Sequence, residues 1–275
     1  MKLANVAGRA ALVLDDGVAD VATASDGRFG PDPMSLLDDR GAVRDWAAGV
    51  TDPTGPLVEA DLRCPVPAPR QVFGIGLNYR SHAEESGMAV PDVPATFTKF
   101  PTCLAGPFDD VPLVGSSNDW EVELVVAIGR RAESVDEADG WDHVAGLAVG
   151  QDVSDRELQF AAGAQFSLGK SRPGYGPIGP WLVTPDELDD RDDLALGCSV
   201  DGEVVQEGRT GDLVFSVPRL VAELSAVLPL LPGDVIFTGT PAGVGFTRQP
   251  PRALAPGQVL ESWIDGIGTI RNRCT

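Results

Sequence analysis

Cysteine and histidine are scarce in this chain of 275 residues, which has four of the first and two of the second. Cys64, Cys103, Cys198 and Cys274 lie far apart and form no CxxC pair, so the ligand spacing of a zinc ribbon is missing. They read as free thiols of a reducing compartment. A cysteine nucleophile needs a histidine beside it, and only His82 and His143 could serve. No apolar run approaches the roughly 20 residues of a membrane helix. The N-terminus, MKLANVAGRAALVLDDG, turns acidic without a long apolar stretch, so no secretory signal is read there and a soluble cytoplasmic protein is expected. Positive charge is short too: 21 Lys and Arg stand against 41 Asp and Glu, a formal net charge of −20. That argues against nucleic acid, which demands a basic face, and against anionic membrane surfaces. If the ligand is a small anion, the site must make its own positive potential from a metal ion and buried cations.

What is present suffices for a core, since 43% of the residues are hydrophobic. Over residues 1–65, RAALVL and GVADVAT read as a hairpin around a DDG turn, followed by a helical PMSLLDDRGAVRDWAAGV. Pro65-Val66-Pro67-Ala68-Pro69 then breaks the pattern. We place a boundary there, between a small β-rich N-terminal domain (1–65) and a larger one (66–275). In the larger part QVFGIGLNY, DWEVELVVAIG, HVAGLAVGQDVS, WLVT, LALGCSVDGEVVQ, DVIFTGT and VLESWIDGIGTIRN read as strands. SHAEESGM reads as a short helix with a Ser N-cap, RELQFAAGAQFSLG as a helix ending at glycine, and VPRLVAELSAVL as a third. MAVPDVPATFTKFP and SRPGYGPIGP read as loops. Strands outnumber helices without alternating regularly with them, so the fold class is α+β rather than doubly wound.

Four segments carry candidate chemistry. Side chains alternate on a strand, so Glu121 and Glu123 share one face while Val122, Leu124 and Val126 take the other. Paired carboxylates there mark either an exposed sheet face or a metal site. Asp152 follows the apolar strand GLAVGQ, where a buried charge is costly without a partner; it supplies a third oxygen donor of the kind Mg²⁺ or Mn²⁺ prefers. On a helix His82 and Glu85 are three residues apart and can touch, as a general-base dyad or as an ordinary surface pair. Gly169-Lys170-Ser171 lacks the spacing of a phosphate loop, so Lys170 reads better as a fixed cation aimed into a site. His143 has no such context and reads as structural.

GLNYRSHAEE, FTKFP, DWEVELVVAIG, QDVSDRELQ, GKS with PIGPWLVT, VDGEVVQ and LPGDVIFTGTPAGVG, in this order, resemble the fumarylacetoacetate hydrolase family over nearly the whole chain. The resemblance implies a catalytic domain built as a mixed β-sandwich roll, usually paired as a homodimer. It implies Mg²⁺, Mn²⁺ or Ca²⁺ on Glu121, Glu123 and Asp152, and a His82–Glu85 dyad. Residues matching Arg156, Gln159 and Lys170 would stabilise an oxyanion or contact substrate. Thr240 looks like a contact for a substrate carboxylate, and Tyr79 and Gln206 are weaker candidates. The implied activity is metal-dependent hydrolysis of a C–C bond in a 2,4-dioxo acid such as an acylpyruvate or fumarylpyruvate. Isomerisation of a 2-hydroxy-dienoate and decarboxylation of oxaloacetate are the alternatives, with a non-catalytic binding protein a distant one. Many members carry Asp three residues after the Lys, where this chain has Pro173, so the loop beside the site is shaped differently.

Overall fold

A computed structural model describes all 275 residues, the side chain of Arg40 apart. Its centre is the strand Val122–Ile128, buried at every position. Even-numbered Val122, Leu124, Val126 and Ile128 face one apolar cluster, while odd-numbered Val125 and Ala127 face another. Covering both faces is what lets an antiparallel strand be apolar at every position but Glu123. One neighbour is Val144–Gln151, paired antiparallel with Gly150 opposite Glu123. The other is Val235–Phe237, also antiparallel, which in turn pairs parallel with Val72–Gly76. Ala95–Thr98 closes that edge. On the far side the sheet continues through Gly176–Val183 into Lys2–Val6 and the hairpin Arg9–Leu14 and Gly17–Asp20.

A second, four-stranded sheet is ordered Glu203–Arg209, Ala195–Val200, Val259–Ile264, Gly268–Arg273. Leu196, Cys198, Val200, Leu260, Ile264 and Ile270 share the first cluster with the even face of the central strand, which makes a sandwich. The helix Val217–Ser225, capped by the Ser216 hydroxyl, contributes Val217, Leu220, Val221 and Leu224 to the same core. Against the odd face lie the helices Ser35–Asp38 and Arg40–Ala47, through Leu36, Leu37 and Val43. The fold is thus mixed α+β, mostly sheet, as expected. The first 65 residues are joined to the rest by the pairing of Lys2–Val6 with Gly176–Val183 and by Leu3 and Leu12 in the shared second cluster. Among the described residues no helix is long and apolar enough to cross a membrane.

Several local expectations are corrected. Ser81 lies inside its helix, which runs Arg80–Glu85 behind an extended Tyr79. The helix after Asp152 covers only Arg156–Ala161, with Gly163 beyond it at φ +67°. Residues 95–98, read as loop, add an edge strand because each finds a partner on Val72–Gly76. The strand ahead of Trp181 begins at Gly176, within the segment read as irregular.

Candidate functional site

Glu121 precedes the central strand and Glu123 lies one pleat further on, so both carboxylates leave the sheet on one side. Asp152 follows the neighbouring strand, and its N–H donates to the Glu121 carbonyl at 2.9 Å. Gln151 secures this corner: its Oε1 accepts from Glu121 N–H at 2.9 Å and its Nε2 donates to Ser262 at 2.8 Å. All three carboxylates are buried, and one oxygen from each lies within 4.8 Å of the others.

Three cations surround them. Lys99 Nζ lies 2.6 Å from Asp152 Oδ1, and Lys170 Nζ lies 2.9 Å from Asp152 Oδ2 and 2.5 Å from Glu121 Oε2. Arg156 spans Glu121 Oε1 and Asp119 Oδ2, each at 2.7 Å. Burial pushes the Glu121 carboxyl up, but Lys170, Arg156 and His82 outweigh it and hold it down at about 2. Glu123 is different. No cation pairs with it; its Oε2 accepts only the Gly239 N–H, at 2.7 Å. Burial, then Asp152 and Glu121, push its carboxyl well above the ordinary range. The donor set is therefore all hard oxygen, convergent, and short of positive charge at Glu123, which fits a divalent cation of the Mg²⁺, Mn²⁺ or Ca²⁺ type.

Glu121 and Glu123 form the floor of a cavity of about 340 Å³, with Asp152 buried beneath them. His82, Arg156, Gln159, Lys170 and Thr240 line it as well. His82 Nδ1 lies 3.5 Å from Glu85 Oε2. Both Glu85 oxygens also accept the Gly243 N–H, at 3.1 Å, which ties the His82 helix to the TGTPAGVG loop. Asn78 fixes the other end of that helix by donating to the carbonyls of Phe215 and Thr238. Gln159 Oε1 accepts from Arg156, so the pair enters the cavity as one unit.

Two expected contacts stand behind the wall instead. The Gln206 amide is fully used: Nε2 donates to Thr240 Oγ1 and to the Pro241 carbonyl, both at 2.8 Å, and Oε1 accepts from Val122 N–H at 3.0 Å. It positions Thr240, whose hydroxyl in turn donates to the Val122 carbonyl at 2.9 Å. Tyr79 is wholly buried, its hydroxyl without a hydrogen-bond partner. His143 is buried with Nδ1 against the Arg130 carbonyl, as a structural residue would be.

Sequence reasoning does not single out Lys99 or Asp119. Asp119 anchors Arg156 while accepting the N–H groups of Gly245 and Phe246 at 2.7 and 3.0 Å. The signal for Lys99 is present in retrospect, as one lysine in the apolar FTKFP. Gly169 also gains a reason. A Cβ there would lie 2.7 Å from Gln159 Cβ and against the Gln159 backbone, so only glycine lets the Lys170 loop press on the Arg156 helix.

Residues 71–275 match the family model described as the C-terminal region of fumarylacetoacetate (FAA) hydrolase. A solved Mycobacterium smegmatis protein, provisionally assigned as HpcE, is 49% identical, with a TM-score of 0.94 over 100% of this chain and 99% of its own. Maleylpyruvate hydrolase from Sphingobium sp. SYK-6, solved with manganese(II) and pyruvate, is 31% identical, with a TM-score of 0.79 over 100% and 99% of the two chains. The 2-hydroxyhepta-2,4-diene-1,7-dioate isomerase of Mycobacterium marinum is 30% identical, with a TM-score of 0.76 over 100% and 98%.

Proposed function

The chain belongs to the fumarylacetoacetate hydrolase family, and from that premise we propose a divalent-metal hydrolase that cleaves the C3–C4 bond of a 2,4-dioxo acid. The observation that carries this reading is the placement of His82, engaged by Glu85, in the same cavity as Glu121 and Glu123, with Asp152 completing the carboxylate cluster behind them. Decarboxylation would need the carboxylate floor but no base, while isomerisation would use such a base only to shuttle a proton. The solved relative holding manganese and pyruvate supports both the metal and a three-carbon 2-oxo product.

Glu121, Glu123 and Asp152 would hold the ion, which would supply Lewis-acid polarisation of the 2-oxo group. With Nδ1 engaged by Glu85, His82 Nε2 is free to take a proton from water. The water oxygen bonds to C4, the C3–C4 bond breaks, and its electron pair passes to C3. The proton held on His82 is returned to C3, so one acid and pyruvate are released for each water consumed. Arg156, Gln159 and Lys170 would orient the substrate and stabilise negative charge developing on oxygen. Thr240 would meet the substrate carboxylate by turning its one hydroxyl proton away from the Val122 carbonyl that now holds it.

The test is the ultraviolet absorbance of an acylpyruvate, followed with protein and Mn²⁺ and then with chelator. Loss of the absorbance, arrested by chelator, is expected. Turnover of oxaloacetate alone would replace this reading with decarboxylation.

A further inference from the structure

Above its charged floor the cavity changes character. Phe97, Phe166, Phe160 and Phe246 line its walls, four of the ten phenylalanines in the chain. They form one continuous arc. Phe97 meets Phe166 edge-on at 6.1 Å between ring centres, Phe166 meets Phe160 edge-on at 5.7 Å, and Phe160 meets Phe246 at 5.5 Å. The first two are edge-to-face, a favoured aromatic geometry, and the third is tilted, so the four rings pack as one surface. Its outer members stay half-exposed, Phe160 at 45% and Phe246 at 50%, with Met88 beside them at 53%.

Cations are confined to the floor. Lys170 and Arg156 are the only lysine and arginine among the described lining residues, and both are bound to carboxylates there. The segment Gly87–Pro94, which carries Met88, contains Asp92 and no lysine or arginine. A substrate held by its 2-oxo acid head at the floor would point its other end along the arc. A second carboxylate at that end would lose hydration against phenyl rings with no free cation to meet it. It would also enter a protein of net charge −20.

We propose that the phenylalanine arc is an acyl-group subsite, selecting 2-oxo acids whose distal end is an uncharged apolar or aromatic group over those ending in a second carboxylate. This rests on the reading of the floor as a 2-oxo acid site. It narrows that reading, since maleylpyruvate and heptadienedioate, named for two of the relatives, both carry the second carboxylate.

The test separates binding from turnover. Calorimetry on the Mn²⁺-loaded protein would compare 2-oxo-4-phenylbutanoate with 2-oxoadipate, two 2-oxo acids that lack the 4-oxo group and so are not cleaved. The phenyl compound should bind at least about 30-fold more tightly, within the range that apolar pockets discriminate. Phe160→Arg, a change at a half-exposed position, should shrink or invert that ratio. In turnover, wild-type kcat/KM for benzoylpyruvate should exceed that for succinylpyruvate by a similar factor. Equal affinities, or tighter 2-oxoadipate, would overturn the subsite while leaving the cleavage reading intact. Tight phenyl binding without cleavage of any dioxo acid would keep the subsite and overturn the cleavage. If neither compound binds at millimolar concentration, the floor is not a 2-oxo acid site and both readings fall.

Discussion

His82 and Lys99 sit on opposite sides of one question, whether a residue acts on substrate or holds the floor together. His82 lines the cavity and is not placed to hold the ion. His82→Ala should therefore lower kcat by at least about 10²-fold, the usual size of a general-base contribution, with Mn²⁺ affinity unchanged. Glu85→Gln should give a smaller loss in the same direction. Full acylpyruvate cleavage by the alanine variant would remove His82 from the mechanism. Lys99 is wholly buried with Asp152 and the carbonyls of Lys170 and Tyr175 as partners. Lys99→Met leaves Asp152 with one cation instead of two, and breaking such a buried pair costs about 3–5 kcal/mol. A chemical melt of the metal-free variant should register that loss. The two glutamates proposed to hold the metal were legible because the alternation that the strand Val122–Ile128 imposes extends one residue back to Glu121, and Asp152 because a charge follows an apolar strand. Lys99 was not, because one lysine in the apolar FTKFP hints at burial but does not say against what; its partners lie 53 and more residues away.

At the scale of elements, strand identity was readable from apolar runs, while boundaries depended on distant partners. Ala95–Thr98 is mostly exposed, and the alternation of its four residues is too short to mark a strand by itself; it becomes one because Val72–Gly76 offers an open edge. The helix Arg156–Ala161 is shorter than its composition suggests, since the chain must turn back to bring Gly169 against Gln159. Its start is well determined. Asp155 accepts the Leu158 N–H at 3.1 Å, so Asp155→Ala should cost about 1 kcal/mol, the usual value of an N-cap. Burial pushes the Asp155 carboxyl up, but bonds from Leu158, Arg172 and Ser117 outweigh it and hold it below its ordinary 3.8. A depressed folded value stabilises above the unfolded pKa and is lost as pH falls through the folded one. The wild type should accordingly shed this increment below about pH 4, and the alanine variant should show a flatter acid limb in a pH series of melts. Gly169→Val should do something else: push the Lys170 loop outward and remove activity far more than stability, checked by kcat/KM beside the melting curve.

For the molecule as a whole the charge balance dominates approach. A chain of net −20 repels an anionic substrate until it reaches the floor. Raising ionic strength from about 0.02 to 0.2 M shortens the screening length from roughly 20 to 7 Å. If the substrate is an anion, kcat/KM should rise over that range in non-coordinating salt, whereas a site with a basic entrance would show a fall. The sandwich itself was only partly legible. Strand excess indicated α+β, but the sheet order runs through pairings such as Lys2–Val6 with Gly176–Val183, which no local pattern encodes.

The loop that begins at Gly239 touches both halves of the site. Its first amide holds Glu123 and its Gly243 amide holds Glu85, with only Thr240, Pro241 and Ala242 between them. Gly239 sits at φ +107°, and a Cβ there would lie 2.7 Å from Asn78 Cβ, so the loop cannot easily slide against the His82 helix. These residues act as a gauge block: they set the gap between the His82 ring and the carboxylate floor, and on the proposed reading that gap limits how large a reacting group fits between them.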